Sequence, residues 1–314
     1  MEEVKRKSHW TSSDMPPQTG RLIVVTGTGG LGYECALASA RAGADIILAG
    51  RNRNKGEASI AKVRSSVASA NIRFEQLDLA DLASIEEFGR RLRDTCERVD
   101  VLINNAAVIM TPRRQVTKDG FELHFGTNYL GHFALTAYVM PLLRKGRDPR
   151  VVSVCALAAN RGAINFGDLQ SEHRYAPMAA YGLSKLASLM FSLEFHRRSI
   201  AGQWGIKSIA AHPGLARTDS SGLRADKTRE NRMPFLLRLI APLLFQPPEQ
   251  GALPLLFAAT SAEAESGGYY GPDGSKEMKG FPAHAKIPPD AKDETVAKRL
   301  WDVSKQMTHV GFEE

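Results

Sequence analysis

The sequence predicts an α/β protein: a doubly wound parallel sheet of roughly seven strands with helices on both faces. Three observations predict it. Short runs rich in β-branched residues alternate along the chain with helical stretches, and this alternation implies crossover connections and hence parallel strands. The first such run is followed at once by a cluster of glycines and then by a helix. Finally, no linker, repeat or shift in composition divides the 314 residues. The length alone would allow about two domains, but one domain covering 21–314, preceded by an arm at 1–20, is the better reading.

The elements follow in order. Residues 1–20 are polar and carry Pro16, Pro17 and Gly20, which suits an irregular arm. Residues 22–26 (LIVVT) form the first strand and 33–42 the first helix. Strands at 45–49 (DIILA), 72–77 and 99–103 (VDVLI) alternate with helices at 55–68 and 82–97. A longer helical region at 121–143 leads to a strand at 150–155 (RVVSVC), a helix at 179–199 and a strand at 206–211 (IKSIAA). A weaker seventh strand is expected at 267–270. Residues 218–248 interrupt the pattern with a charged stretch and then an apolar one (MPFLLRLIAPLLF), and lie beyond the sixth strand, where an insertion can cover a ligand crevice as a substrate lid; a membrane-dipping patch, an oligomer contact or plain packing are the alternatives for the apolar stretch. From about 275 the chain reads as a C-terminal tail.

Composition excludes several classes. The N-terminus MEEVKRKSHW is charged and has no apolar core, so no signal peptide is expected. The 233–245 stretch is broken by Arg238 and Pro242 and is shorter than the roughly 20 residues that span a bilayer, so no transmembrane segment is expected. Lys and Arg number 41 against 34 Asp and Glu, a net charge of +7 too diffuse to indicate nucleic acid. Three cysteines, Cys35, Cys96 and Cys155, do not make a disulfide framework. A reducing, cytoplasmic setting is expected. The eight histidines are scattered with no metal-ligand spacing, so no metal site is expected.

Between the first strand and helix stand Thr26, Gly27, Thr28, Gly29, Gly30, Leu31 and Gly32, in which Gly27, Gly29 and Gly32 fit G-x-G-x-x-G where that pattern has mechanical meaning. Glycine permits a tight turn and lets the backbone approach a pyrophosphate, whose charge meets the N–H groups at the helix start. This is the dinucleotide-binding arrangement of the Rossmann fold. A carboxylate at the end of the second strand would hold the free ribose hydroxyl of NAD and repel a 2′-phosphate; here Gly50 is followed by Arg51, Asn52 and Arg53. With Arg51 available to pair with phosphate and stack on adenine, and Asn52 counted with it among the cofactor-binding residues, NADP(H) is favoured. Asp78 and Leu79, ending the third strand, are placed to edge the adenine.

Tyr181 and Lys185 begin the helix after the fifth strand, one turn apart on one face. An ammonium beside a phenol stabilises the phenolate and lowers its pKa from about 10, giving a proton donor and acceptor usable near neutral pH.

With these motifs in order, the chain resembles the short-chain dehydrogenase/reductase family over nearly its whole length. The resemblance rests on the glycine turn, Asn104-Asn105-Ala106-Ala107 after the fourth strand, Asn128 in TNYLGHF, Tyr181 with Lys185, and Pro213-Gly214 with Thr218. Trp10-Thr11 with Asp14-Met15-Pro16, Asn165-Phe166 with Asp168-Leu169, Tyr269 to Gly274 (YYGPDG) and Arg299-Leu300-Trp301 are similar to the retinol-dehydrogenase-like bacterial oxidoreductase branch. The resemblance implies hydride transfer between a nicotinamide and a carbonyl or alcohol, with Tyr181 as general acid or base, Lys185 tuning it and holding the nicotinamide ribose, and Asn128 positioning a relay water. It further implies Asn105, Ala106, Pro213, Gly214 and Thr218 along the cofactor, an apolar small-molecule substrate, and a homodimer or homotetramer built through the helices near Asn128 and Tyr181.

Two positions depart from the family. Its glycine turn usually runs T-G-x-x-x-G-x-G, whereas the span from Thr26 to Gly32 is one residue shorter. At the end of the fifth strand, where the family places a serine that hydrogen-bonds the substrate oxygen, this chain has Ala156, with Leu157 next to it. Strand alternation turns Ser153 and Cys155 to the opposite face. Losing one donor to a developing oxyanion costs about 10² to 10³ in rate. Either a neighbouring group compensates, or the substrate needs less polarisation, as a protonated imine or a non-redox reaction would, or the protein binds NADP(H) without turnover.

Overall fold

The computed structural model describes residues 9–216 and 245–312. Thr218 and almost all of the expected lid at 218–248 lie outside the described residues. The sheet has eight strands: β1 (Leu22–Thr26), β2 (Asp45–Gly50), β3 (Ile72–Gln76), β4 (Val101–Asn104), β5 (Arg150–Val154), β6 (Lys207–Ala211), β7 (Tyr269–Pro272) and β8 (Pro282–His284). Their order is β3-β2-β1-β4-β5-β6-β7-β8. Neighbours pair in parallel up to β7, and only β8 runs antiparallel, with Gly271 opposite Ala283. The doubly wound α/β class is thus observed, with one strand more than the sequence suggested. β8 is three residues long and begins with proline, which gives no periodic signal.

Alternate side chains of the central strands enter two cores. Val24, Ile47, Leu102, Val151 and Cys155 face one side; Ile23, Val25, Ile46, Val101 and Val152 face the other. Both faces are covered, and for that reason the strands read as nearly continuous apolar runs. The first side is packed by α3 (Leu82–Thr95), α4 (Gly131–Leu143) and α5 (Pro177–Ala201). Against the second lie α1 (Leu31–Arg41), α2 (Arg53–Ser66) and α6 (Pro248–Thr260). Asp81 starts α3 by accepting the N–H groups of Ala83 and Ser84, while Pro248 sits in the first turn of α6, where its missing N–H costs nothing.

Reversal of strand order falls between β1 and β4, so the crevice at the carboxyl ends of these strands is where a ligand binds in such sheets. The residues from 275 onward, read as a tail, are built into the fold. They supply β8 and α7 (Glu294–Thr308), whose Trp301 lies with Phe312 against Phe133 of α4 and Phe191 of α5. Tyr129 adds a 2.7 Å hydrogen bond to Ser304. α7 thus covers part of the face of α4 and α5 within one chain. Among the described residues no helix is long and apolar enough to cross a membrane.

Because Trp301 is almost fully buried among four aromatic rings, Trp301→Ala should lower unfolding free energy by about 3–5 kcal/mol. Urea titration followed by circular dichroism measures this; a loss below about 1 kcal/mol would show that α7 is not part of the cooperative core.

Candidate active site

The glycine turn is closed by contacts that a side chain would block. Gly27 has φ +91°, and a Cβ at Gly32 would stand 2.1 Å from the Gly27 carbonyl oxygen and 2.8 Å from the Asn105 amide nitrogen. Gly32 N–H bonds the Gly29 carbonyl at 3.1 Å, which tightens the shortened turn. Gly30, with φ +50°, precedes α1 and offers no capping side chain, so no side chain competes with an anion at the helix start. Thr28 is anchored: its carbonyl accepts the Ser59 hydroxyl at 2.6 Å, and its methyl lies where a Cβ on Gly50 would come within 2.8 Å. The side chain of Leu31 belongs to the core on the α1 side, which leaves only its backbone for a ligand. The turn fits a dinucleotide pyrophosphate: a cradle of glycines with a bare helix N-terminus.

Around it, the expected cofactor residues divide. Arg51 is exposed, and its guanidinium has no partner among the described residues, whereas Arg53 pairs with Glu57 at 3.4 Å and lies 5.2 Å from the Phe74 ring centre. Asn52 caps α2 by accepting the Lys55 N–H at 2.9 Å, a structural duty the sequence reading did not give it. Asp78 accepts the Ala80 N–H at 3.0 Å, and Leu79 is buried with its carbonyl against Gly131. Pro213 and Gly214 form a turn held by the Gln246 amide, which donates to the Pro213 carbonyl at 2.6 Å, and by Gly214 N–H, which donates to His212 at 3.2 Å. With Nδ1 accepting, the other ring nitrogen of His212 donates to Glu277 at 3.0 Å. That bond, against the opposing effect of burial, holds the Glu277 carboxyl below its ordinary value.

One hydroxyl joins the turn to the end of β4 and to α4. Thr26 Oγ1 accepts the N–H groups of Asn105 and Ala106, both at 2.9 Å, while its carbonyl accepts the Asn105 side-chain amide at 2.7 Å. It also lies 2.9 Å from His132 Nε2, and His132 Nδ1 lies 2.9 Å from the Asn128 carbonyl. A carbonyl only accepts, so Nδ1 carries the proton and Nε2 receives the Thr26 hydroxyl. Burial pushes His132 down to about 4, with Lys185 adding to the effect, so the ring is neutral in this network. His132 therefore bridges Thr26 and Asn128.

Asn128 lies in a π-helical turn, Phe125–Leu130, whose widened ladder joins Gly131 N–H to the Gly126 carbonyl. Its side chain accepts Val108 N–H at 2.7 Å and donates to the Val108 carbonyl and the Ser184 hydroxyl, both at 3.0 Å. Ser184 in turn donates to the Tyr181 carbonyl at 2.8 Å. Thus Asn128 fixes the start of α5 to the segment after β4.

Tyr181 and Lys185 occupy one face of α5, as the spacing predicts, but their electrostatics differ from the expectation. Lys185 donates to the Val154 carbonyl at 2.7 Å, and burial pushes its ammonium down to about 8, partly offset by Cys155. Burial, with Cys155 next, raises the Tyr181 phenol above its ordinary value instead of the expected lowering. Desolvation holds the phenol in its protonated form. Its hydroxyl bonds no described residue. Ala156 stands between β5 and a short 3₁₀ turn, Leu157–Arg161, and brings no donor. Ser153 and Asn104 each present a buried polar atom without a partner to a small internal cavity that Asn128, His132 and Ser188 also line. Cys155 is buried and its thiol is pushed up to about 12, which makes it an unreactive packing residue.

A profile described as short chain dehydrogenase matches residues 21–229. The chain is 39% identical to retinol dehydrogenase 13 of Mus musculus over 92% of its own length and 84% of that protein. It is 36% identical to polyprenol dehydrogenase of Mus musculus, covering 95% and 86%. A crystal structure of an uncharacterized Mycobacterium paratuberculosis protein superposes with a TM-score of 0.80 at 34% identity, covering 97% of this chain and 99% of that one.

Burial of a cation at Lys185 gives a signed expectation. Below pH 8 folded and unfolded chains both hold this proton; between 8 and 10.5 only the unfolded chain does, so stability from this group rises with pH across that window. Lys185→Met should therefore be more stable than the parent at pH 7, on the order of 2 kcal/mol, with the difference shrinking toward pH 10. Urea midpoints across pH measure it, and a pH-independent difference contradicts it.

Proposed function

The chain belongs to the short-chain dehydrogenase/reductase family, and on that premise we propose that it is an NADP(H)-dependent oxidoreductase acting between the carbonyl and alcohol forms of a fairly large apolar substrate. Tyr181 on α5, with a hydroxyl that bonds no described residue and Lys185 one turn on, carries this reading. Bound in the crevice, a nicotinamide would supply hydride in reduction and take it up in oxidation. In reduction the protonated Tyr181 gives its proton to the substrate oxygen. Lys185, cationic below about pH 8, favours the phenolate left behind and offers N–H groups to the ribose. Asn128 holds α5 and the segment after β4 in place through Ser184 and Val108. Gly27, Gly29, Gly30 and Gly32 give the pyrophosphate its approach, and Arg51 is the group for a 2′-phosphate. On this reading Asn105, Ala106, Pro213 and Gly214 would lie along the cofactor.

An apolar substrate is supported by Met178, exposed in the first turn of α5 near Tyr181, and by Met110, exposed after β4. The two relatives described above are named for retinol and polyprenol, both lipophilic alcohols. Ala156 favours a second reading, in which a substrate already polarised, such as a protonated imine, replaces the carbonyl.

Tyr181→Phe should reduce kcat for NADPH-linked aldehyde reduction by about 10² to 10⁴ while leaving cofactor affinity within about twofold. Retained turnover removes Tyr181 from the mechanism. Restoring the donor with Ala156→Ser should raise kcat/KM for aldehydes by about 10²; no gain there, together with turnover of cyclic imines, favours the second reading. Arg51→Ala should raise KM for NADPH about tenfold and leave NADH unchanged, which steady-state kinetics with both cofactors checks directly.

A further inference from the structure

Glu122 and His124 form a buried acid–imidazole pair beside Tyr181 that the proton path above does not use. His124 Nδ1 lies 2.8 Å from one Glu122 oxygen, and the other accepts the Phe125 N–H at 2.8 Å. The carboxylate orients the ring with its proton on Nδ1, so Nε2 is left to accept, and it takes the Thr111 N–H at 3.3 Å. The Tyr175 hydroxyl holds the same residue from its other side, donating to the Thr111 carbonyl at 2.7 Å and lying 2.6 Å from its hydroxyl. Three residues earlier, Val108 is gripped through both N–H and carbonyl by Asn128, one helical turn on from His124. Between these two anchors Met110 sits at φ +53°, a region unfavourable for a side chain, with 46% of its surface exposed. Such a backbone persists where its surroundings hold it. The His124 ring itself meets Tyr181 edge-on, with centroids 6.1 Å apart.

We infer that Glu122 and His124 are a positioning pair that pins Thr111 and thereby presents Met110 as an apolar lip on the Tyr181 side of the cleft, selecting long apolar chains over short ones. This rests on the proposed function for the apolar substrate class and adds the residues that enforce it. His124 acts through Thr111 and Met110, not on the reacting atoms.

The test combines amide hydrogen exchange with calorimetric binding of 1-decanol and 1-butanol to the full-length protein in the presence of NADP⁺. In His124→Phe the Thr111 amide should exchange at least about tenfold faster, with amides late in α5 unchanged. Decanol affinity should fall about tenfold and butanol affinity stay within about twofold. His124→Gln, which keeps an acceptor, should recover most of the loss, and Met110→Ser should reproduce it, with the double variant no worse than either alone. An unchanged Thr111 amide in His124→Phe, or an unchanged decanol-to-butanol ratio in Met110→Ser, overturns the inference. Should His124→Phe not fold, Met110→Ser alone decides, since Met110 is exposed. Absence of turnover in the wild-type protein would defeat the proposed function, whereas exchange and binding would still judge the pair.

Discussion

The hydroxyl of Thr26 receives the amide protons of Asn105 and Ala106 and gives its own to His132, which in turn holds the Asn128 carbonyl. Through this oxygen the end of β1, the end of β4 and the π-helical turn become one rigid body. Asn128 then reaches forward to Ser184, which donates to the Tyr181 carbonyl, so the glycine turn and α5 share a single hydrogen-bonded chain. Every polar group in it is buried or half-buried, which makes each bond costly to break and the arrangement correspondingly specific. The glycine turn is by this means fixed relative to Tyr181.

Desolvation sets the proton chemistry of the same region. It keeps His132 neutral, lowers Lys185 and raises Tyr181. The consequence is a protonated phenol poised to donate, beside a lysine whose charge is less secure than that of a surface lysine. Ala156 brings no side-chain donor to the end of β5, and on another side the Tyr181 ring meets His124, which stacks on Tyr175. The organisation favours positioning over polarisation.

Much of this was legible in the amino-acid pattern. The β-branched runs stand out because central strands buried on both faces admit little else, and the glycine turn is readable because only glycine fits where Gly32 meets the Gly27 carbonyl. What escaped depends on contacts distant in sequence. β8 has too few residues for a period, and α7 reads as a surface tail until Trp301 finds the rings of α4 and α5. Asn52 looked like a ligand residue because the residue types that suit a helix cap and a cofactor overlap. The i, i+4 spacing of Tyr181 and Lys185 was correctly one face, yet spacing carries no information about burial, and burial reverses the expected effect on the phenol. Glu122 and His124 sit two positions apart, a spacing with no meaning in a regular helix; their pairing arises only where the chain enters the π-helical turn.

Hydride transfer itself is the claim on which the account turns, and isotope tracing reads it without reference to any variant. The protein would be incubated with an apolar aldehyde and NADPH deuterated at one or the other face of nicotinamide C4, and the alcohol product examined by mass spectrometry. The account predicts that deuterium from one face alone arrives on the carbinol carbon in stoichiometric amount. Cofactor that binds yet delivers no deuterium to any carbonyl offered would contradict it.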